Sequence, residues 1–572
     1  MISLLRAGLL AREVAHNARF ERAAADPRTS QARLLVSLTR RNSDTVFGRE
    51  HGFASIQTPA DFARRVPPRD YEGFRSYVDR MARGESGVLT ADSLTMFTTT
   101  SGTTGEPKLI PVTKAWKAQA AALTRLWMYR AVRDHPRCFD KKILLVVSPA
   151  IEGRTPMGFA YGAMSGLMSE DVPRLARRHY AIPPDVVSLL PDHDDRYLLI
   201  MRLAMAQPVS AVGTPNPTSL FRLAHVAAER PEEIIRAIRD GTLGIPARSL
   251  PNDATSRAEL THLGAGLRPE PERAKFLERL VANHGRLSPA SCWPELDLVG
   301  CWLGGSAGVH ASRLREHYGV GPAIRDLGFL ASEGRFTIPV EDGTAAGPLA
   351  VHANFFEFVP EDEMGTASPT VLMAHQLAEG ERYYMLVTGG NGLYRYDIND
   401  VVEVQGFHGP TPKVAFVRKG RDVLNVTGEK LHLNHVQSAL RTAEERCGLR
   451  IWQWRLIPDV EACVYDLLIE LREGSIDDAG ATDLLTAFDN SLSAENSEYR
   501  MKRMSKRLAP PRLHVMQSGW SETICRSDFG AGRRETQYKW SALCDTWDAT
   551  SRAQVVARFA LPPAPAKSTA WP

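Results

Sequence analysis

The chain has 572 residues, more than a single hydrophobic core can organise, and its length suggests roughly three or four domain-sized units. Hydrophobic residues make up 43% and charged residues 24%, the balance of an ordinary soluble globular protein. A formal charge of +4 is close to neutral at this size, so composition gives no reason to expect nucleic acid or an acidic membrane as partner.

In chain order, the N-terminal stretch "MISLLRAGLLAREVAHNARF" is broken by Arg6, Arg12 and Glu13. Its apolar run is too short, and its flanks are wrong, for a signal peptide or a membrane span. It reads as an amphipathic helix, and the expected address is cytoplasmic. Helical patterns dominate to about residue 85. A Thr/Gly loop follows, then a helix from about Lys114 to Arg133. "KKILLVVSP", residues 141 to 149, is a continuous apolar run of the kind found in buried parallel strands. Helices return from about 196 to 290. "LDLVGCWLGGSA" then predicts another buried strand ending in glycines, and "PAIRDLGFLASEGRFTIPV" a strand, a turn and a second strand.

Residues 349 to 428 are strand-rich, with alternation in "YYMLVTGG" and "VVEVQGF". Past about Asp422 the chain restarts as a small α+β unit. The expected class is α/β. The expected boundaries are a large N-terminal domain over 1–422, a small C-terminal domain over 423–560, and a Pro/Ala-rich disordered tail over 561–572. The seven cysteines are scattered singly with no Cys-x-x-Cys pair, which argues against a disulfide framework or zinc cluster and fits a reducing compartment. The basic "YRMKRMSKR", from Tyr499, reads as a solvated helix face rather than an RNA site.

The chemistry starts at "TMFTTTSGTTGEPKLIPVT", residues 95 to 113. Threonines favour a strand into the turn, and Gly102 and Gly105 allow close backbone approach. Ser101, Thr103 and Thr104 add hydroxyls, and Lys108 adds one mobile positive charge. Together they form a cradle for an anion, most simply a phosphate chain. It is not a Walker loop, because Gly102 and Gly105 are too close and no Lys-Ser or Lys-Thr pair follows. A polar surface hairpin is the plain alternative.

Three weaker pieces follow in order. In "LGGSAG", 303 to 308, the glycines could admit a flat base against the backbone, or could simply pack. "GFLASEGRF" brings Phe329, Ser332 and Glu333 together, an aromatic for stacking and a carboxylate for a divalent metal on phosphates. Asp400, in "GLYRYDINDVVEVQGFHG", could accept both ribose hydroxyls. Arg418, Lys419 and Arg421 suit either a phosphate or ribose contact or a hinge.

These motifs resemble the adenylate-forming superfamily, and within it the acyl acid–amido synthetases of the auxin-responsive Gretchen Hagen three family. The matching stretches are "VPPRDYEGFRSYVDRMARGE", "TTTSGTTGEPKLIPVT", "AIRDGTLG", "FLASEG", "HANFFEFVPEDE", "GLYRYDINDVVEVQGFHG" and "ETQYKW", in family order along nearly the whole chain. The resemblance implies a large domain with mixed sheets and a β-barrel-like part, and a smaller mobile C-terminal domain. It implies ATP and magnesium, and an acyl adenylate that passes to the amine of an amino acid. By the same resemblance Lys108, Glu333 and Lys539 are catalytic, with Glu333 on the metal. Ser101, Gly102, Thr103, Thr104, Gly105, Ser306, Phe329, Ser332, Asp400 and Arg418 bind the nucleotide.

The chain departs from the family pattern in three places. Phe329 stands where Tyr is usual, Asn399 where Gly usually precedes the ribose aspartate, and Trp540 follows Lys539 where plant members have Pro-Arg. Asn tolerates left-handed backbone angles, so that turn can persist. The rival readings are an acyl-coenzyme A ligase sharing the first half-reaction, and a non-catalytic nucleotide binder. The expected partners are a small carboxylic acid and an amine, with neither membrane nor nucleic acid, and a monomer is favoured. The acid's pocket is expected in helical segments between about 114 and 240. Met157, Phe159, Tyr161 and Met164 would make a semi-apolar wall there, and Arg154 could receive a carboxylate.

Overall fold

The computed structural model describes residues 2–561 apart from 100–107, 148–150, 165, 168–176, 184–185, 191, 306–307, 309–310, 365, 367, 421–422, 425, 427–428, 430, 460, 505–507, 531–539 and 545. Ser101, Gly102, Thr103, Thr104, Gly105, Ser306 and Lys539, and the expected tail from 562, lie outside the described residues. The chain divides into two compact units, with the break between Val417 and Arg418.

The first unit is α/β. Four strands, Lys142–Leu145, Val209–Gly213, Leu298–Cys301 and Ala323–Asp326, run parallel in that order. Helices including His193–Met205, Pro217–Glu229 and Pro231–Asp240 supply the apolar side chains of the core beside them. Burial on both faces explains why these strands read as apolar runs. Val209–Gly213 is a strand where sequence reading expected only helices. "VSAVG" is too short, and too mixed with small residues, to signal itself.

A second sheet has the order Leu109–Thr113, Leu94–Thr99, Ala160–Gly162, Gly153–Arg154. Its first two strands form a hairpin, with Thr99 paired to Leu109 and Thr98 to Ile110, so the Thr/Gly loop springs from a rigid stem. The following helix runs Lys114–Asp134, one residue from the expected end, and Thr113 caps it by accepting the Trp116 amide. The stretch 151–162, expected within the helical pocket, contains a short antiparallel hairpin instead. Gly153, Pro156, Gly158 and Gly162 disfavour helix there.

A third sheet places Gly347–Pro348, Thr411–Lys419, Tyr396–His408, Arg382–Thr388, Phe355–Pro360 and Leu372–Met373 side by side. It covers the stretch expected to be strand-rich. Among the described residues its two outer strands are not paired to each other. One face, with Phe356, Met385, Val387 and Val402, packs on the N-terminal helices through Leu35, Phe47, Phe62 and Phe74.

The second unit is α+β, as its alternating helix and strand patterns suggested. The helices Leu433–Cys447 and Asp478–Glu495 share a core with the sheet Ile451–Asp459, Val464–Leu471, Arg512–Met516, Val555–Ala560. Among the described residues no helix is long and apolar enough to cross a membrane.

Candidate active site

The stem of the Thr/Gly loop is held on both sides. Thr98 is buried, and its hydroxyl donates to the Ser332 carbonyl at 3.0 Å. The Ser332 hydroxyl in return donates to the Thr99 carbonyl at 2.9 Å. On the other strand, the Leu109 amide donates to the Tyr71 hydroxyl at 2.8 Å. Lys108 therefore leaves a fixed backbone, and its ammonium lies 5.6 Å from the centre of the Tyr71 ring.

Ser332 and Glu333 form the two-residue tip of a small hairpin in which Ala331 pairs with Gly334 and Leu330 with Arg335. Glu333 is only 8% exposed. Its carboxylate accepts a hydrogen bond from the Tyr396 hydroxyl, and burial together with that carboxylate raises the tyrosine's pKa well above its ordinary value. Asn391 adds a long contact, 3.5 Å, to the Glu333 carbonyl. Among the described residues no group of three or more His, Cys, Asp or Glu side chains could hold a metal ion. One oriented carboxylate fits magnesium, which keeps its waters and binds through one or two carboxylates plus substrate phosphates.

Asp400 reaches its position by a bulge. Leu386 pairs with Asp397 and Tyr384 with Val401, so Met385 alone spans Ile398, Asn399 and Asp400. Bulges re-aim side chains next to functional sites. Asn399 sits at φ 55°, so the left-handed turn expected from an Asn in place of Gly is present. Its amide donates to the Asp397 carboxylate at 2.7 Å.

Phe329 and the "LGGSAG" glycines lie against other aromatic residues of the chain. The Phe329 ring is buried at 5.1 Å from Phe336, edge-on, and 5.5 Å from Phe416. A Cβ on Gly305 would meet the Phe416 ring at 2.8 Å, and one on Gly304 would meet the Phe416 carbonyl at 2.9 Å. Close packing thus calls for both glycines, with the Phe416 ring against Gly305 and the Phe416 backbone against Gly304.

Sequence reading missed Asp326, which holds this corner together. Its buried carboxylate accepts the amides of Leu303 at 2.6 Å and Gly328 at 2.5 Å. Burial pushes its pKa up to about 7, with those amides and Arg335 pulling the other way. Asp326 ends the last parallel strand, as Cys301, its register partner, ends the neighbouring one. A strand-terminal aspartate followed by Leu-Gly was the available signal. Thr98, Tyr71 and Tyr396 were also missed, since nothing local distinguishes a buried hydroxyl that ties two elements from one that fills a core.

The side chains of the segment expected to line the acid pocket have varied surroundings. Met157 is exposed at its turn, and Phe159 packs edge-on to Phe97 at 6.2 Å. Arg154 donates to the Gly158 carbonyl of its own hairpin at 2.9 Å. Met164 is buried in a small cluster with Met96, Val112 and Trp116.

A family model described as the GH3 family N-terminal domain matches residues 16–322, more than half of the 572-residue chain. The chain belongs to the GH3 family. The GH3 central domain matches residues 347–419 and the GH3 C-terminal domain residues 434–546. Indole-3-acetic acid-amido synthetase GH3.3 of Arabidopsis thaliana is 23% identical, over 89% of this chain and 88% of its own. Probable indole-3-acetic acid-amido synthetase GH3.12 of Oryza sativa subsp. japonica is 26% identical, over 91% of this chain and 92% of its own. The fold matches that of the GH3.15 acyl acid amido synthetase, with a TM-score of 0.81 at 20% identity, covering 95% of this chain and 96% of that one. It matches 2-hydroxyisobutyryl-CoA ligase more loosely, with a TM-score of 0.52 at 14% identity, covering 93% and 91%.

In this GH3 chain, Lys108, Ser332, Glu333, Phe329 and Asp400 all lie in the first unit, and hydrogen bonds join the Lys108 hairpin directly to the Glu333 turn. Arg418 opens the second unit, where it is buried and donates to the Gly420 carbonyl at 3.3 Å.

Proposed function

We propose that this GH3-family chain is an ATP-dependent acyl acid–amido synthetase. A carboxylic acid attacks the α-phosphate of ATP, giving an acyl adenylate and pyrophosphate. The amine of an amino acid then attacks the acyl carbon, an amide forms, and AMP leaves with the electron pair of the broken anhydride bond. A free carboxylate would have to expel oxide, so the adenylate replaces one hard step with two easier ones.

The observation that carries this reading is the pair of hydrogen bonds from Thr98 to Ser332 and from Ser332 to Thr99, which ties the hairpin bearing Lys108 to the turn bearing Glu333. A cation and a carboxylate fixed on one scaffold suit polyphosphate plus a divalent metal. Lys108 neutralises charge on the phosphates, together with Ser101, Gly102, Thr103, Thr104 and Gly105 of the loop. Glu333 holds magnesium, which when bound screens phosphate charge against the incoming acid anion. Ser332 orients the turn through Thr99 and borders the same phosphates. Asp400, aimed by its bulge, accepts the ribose hydroxyls. Phe329 and Ser306 flank the adenine, Arg418 lies near the ribose, and Lys539 helps the adenylation step. The acid is aromatic or alkyl, in keeping with relatives named for indole-3-acetic acid and a GH3.15 structure in complex with 2,4-DB. The enzyme works as a cytoplasmic monomer with a large adenylation domain ending near 422 and a mobile small one.

ATP–pyrophosphate exchange with magnesium and pools of carboxylic acids tests the first half-reaction. Exchange with one pool is expected, and it is lost in Lys108→Ala. Adding amino acids should convert the acid to an amide with AMP release. Thioester formation with coenzyme A in its place would overturn the acceptor, and silence of every pool with amines present would overturn the enzyme.

A further inference from the structure

Lys108 is the one residue of the loop motif whose surroundings are described, and those surroundings centre on Tyr71. Tyr71 stands directly before the helix Glu72–Ala82 and is 2% exposed. Its hydroxyl accepts the Leu109 amide at 2.8 Å and lies 3.4 Å from the Leu109 carbonyl. Leu109 is the neighbour of Lys108 and the cross-strand partner of Thr99, so this contact registers the chain where it leaves the loop. Both Lys108 and Arg75 contact the ring, at 5.6 and 5.1 Å from its centre. Arg75 is already committed to Glu72 through two hydrogen bonds of 2.7 and 2.8 Å.

We infer that Tyr71 is a positioning residue for Lys108: its hydroxyl fixes the backbone on which the lysine stands, and its ring face seats the ammonium beside the loop. An aromatic that merely filled the core would need neither a hydroxyl matched to the Leu109 amide nor a cation on its face. A cation–π seat suits this task, because it keeps the ammonium charged and partly desolvated while remaining weaker than a charge-assisted contact to phosphate. Bound nucleotide can therefore take the ammonium over without a full hydration shell having to be stripped from it. This inference rests on the reading that Lys108 meets the phosphates of ATP.

The test is a double-mutant cycle on ATP binding, measured calorimetrically with magnesium on the full chain, using Tyr71→Leu, Lys108→Ala and the pair. Tyr71→Leu should weaken ATP binding about fivefold with Lys108 present, and by less than about 1.5-fold once Lys108 is Ala. Tyr71→Phe, which keeps the ring and loses the hydroxyl, should fall between, at about twofold. Equal losses with and without Lys108 would reduce Tyr71 to a structural residue and overturn the inference, as would wild-type affinity in Tyr71→Leu. If Tyr71→Leu does not fold, the same cycle run with Tyr71→Phe decides by the same criterion. Wild-type protein that binds ATP but exchanges no pyrophosphate would overturn the proposed function alone. Wild-type protein that binds no ATP overturns both.

Discussion

The Glu333 carboxylate is held by the Tyr396 hydroxyl inside an almost closed site, so its orientation is set before any metal arrives. Partners behind a metal ligand typically matter about 10- to 100-fold in metal affinity. Tyr396→Phe keeps the buried ring and removes the donor. It should raise the magnesium concentration for half-maximal pyrophosphate exchange roughly tenfold while leaving the thermal midpoint nearly unchanged. Glu333→Gln should raise it further. An unchanged magnesium midpoint in both variants would remove Glu333 from the metal. Sequence reading singled out Glu333 because a carboxylate in a short turn is visible in one dimension. Tyr396 lies 63 positions away on another strand, and only the folded chain brings its hydroxyl to that turn.

At the scale of elements, the hairpin stem and the bulge do the positioning. Thr98→Val is nearly isosteric but removes the donor to the buried Ser332 carbonyl, which should cost about 1–3 kcal/mol in denaturant titrations. Thr98→Ser should restore most of it, and equal stability of the Val and Ser variants would show the bond to be dispensable. In the bulge, Asn399 occupies a left-handed conformation that a β-branched residue resists. Asn399→Gly should therefore leave the ATP KM close to wild type, whereas Asn399→Val should raise it by disturbing the turn that aims Asp400. The reverse ranking would detach Asp400 from the site.

Just before this turn, Arg395 makes a buried ion pair with Glu357 at 2.9 Å and donates to the carbonyls of Ala63 and Val66. Arg395→Met strands the buried Glu357 and should destabilise the fold by about 3–5 kcal/mol, measured by urea unfolding. A smaller loss in the double variant Arg395→Met/Glu357→Met would identify the unpaired charge as the cause.

At the scale of the whole molecule, the pH dependence of stability can be traced to single buried carboxyls in each unit, such as Asp326 in the first. In the second, burial pushes the Asp466 carboxyl up, but hydrogen bonds from His514, Arg512 and Trp547 outweigh it and hold the pKa at about 2. A carboxyl depressed on folding stabilises above its unfolded pKa, near 4, and loses that contribution as pH falls through its folded value. Wild-type chain should therefore lose roughly 2 kcal/mol of stability between pH 5.5 and pH 2 from this group. Asp466→Asn should show a smaller drop over the same window in urea titrations, and an identical drop would exclude Asp466 as its source.

The sequence by itself determined the α/β class, the restart as a small α+β unit, the helix Lys114–Asp134 and the parallel strands beginning at Lys142 and Leu298. Those features depend on periodicity and apolar runs, which are local. The order of motifs likewise identified the family. The tertiary structure alone decided that Val209–Gly213 joins the parallel sheet, that 151–162 contains a hairpin, and that Phe416 fills the space beside Gly304 and Gly305. It also decided which hydroxyls, those of Tyr71, Thr98 and Tyr396, stand behind Lys108 and Glu333. Each of these outcomes is a pairing between residues far apart in the chain, and such a pairing leaves no periodic trace in either partner's own neighbourhood.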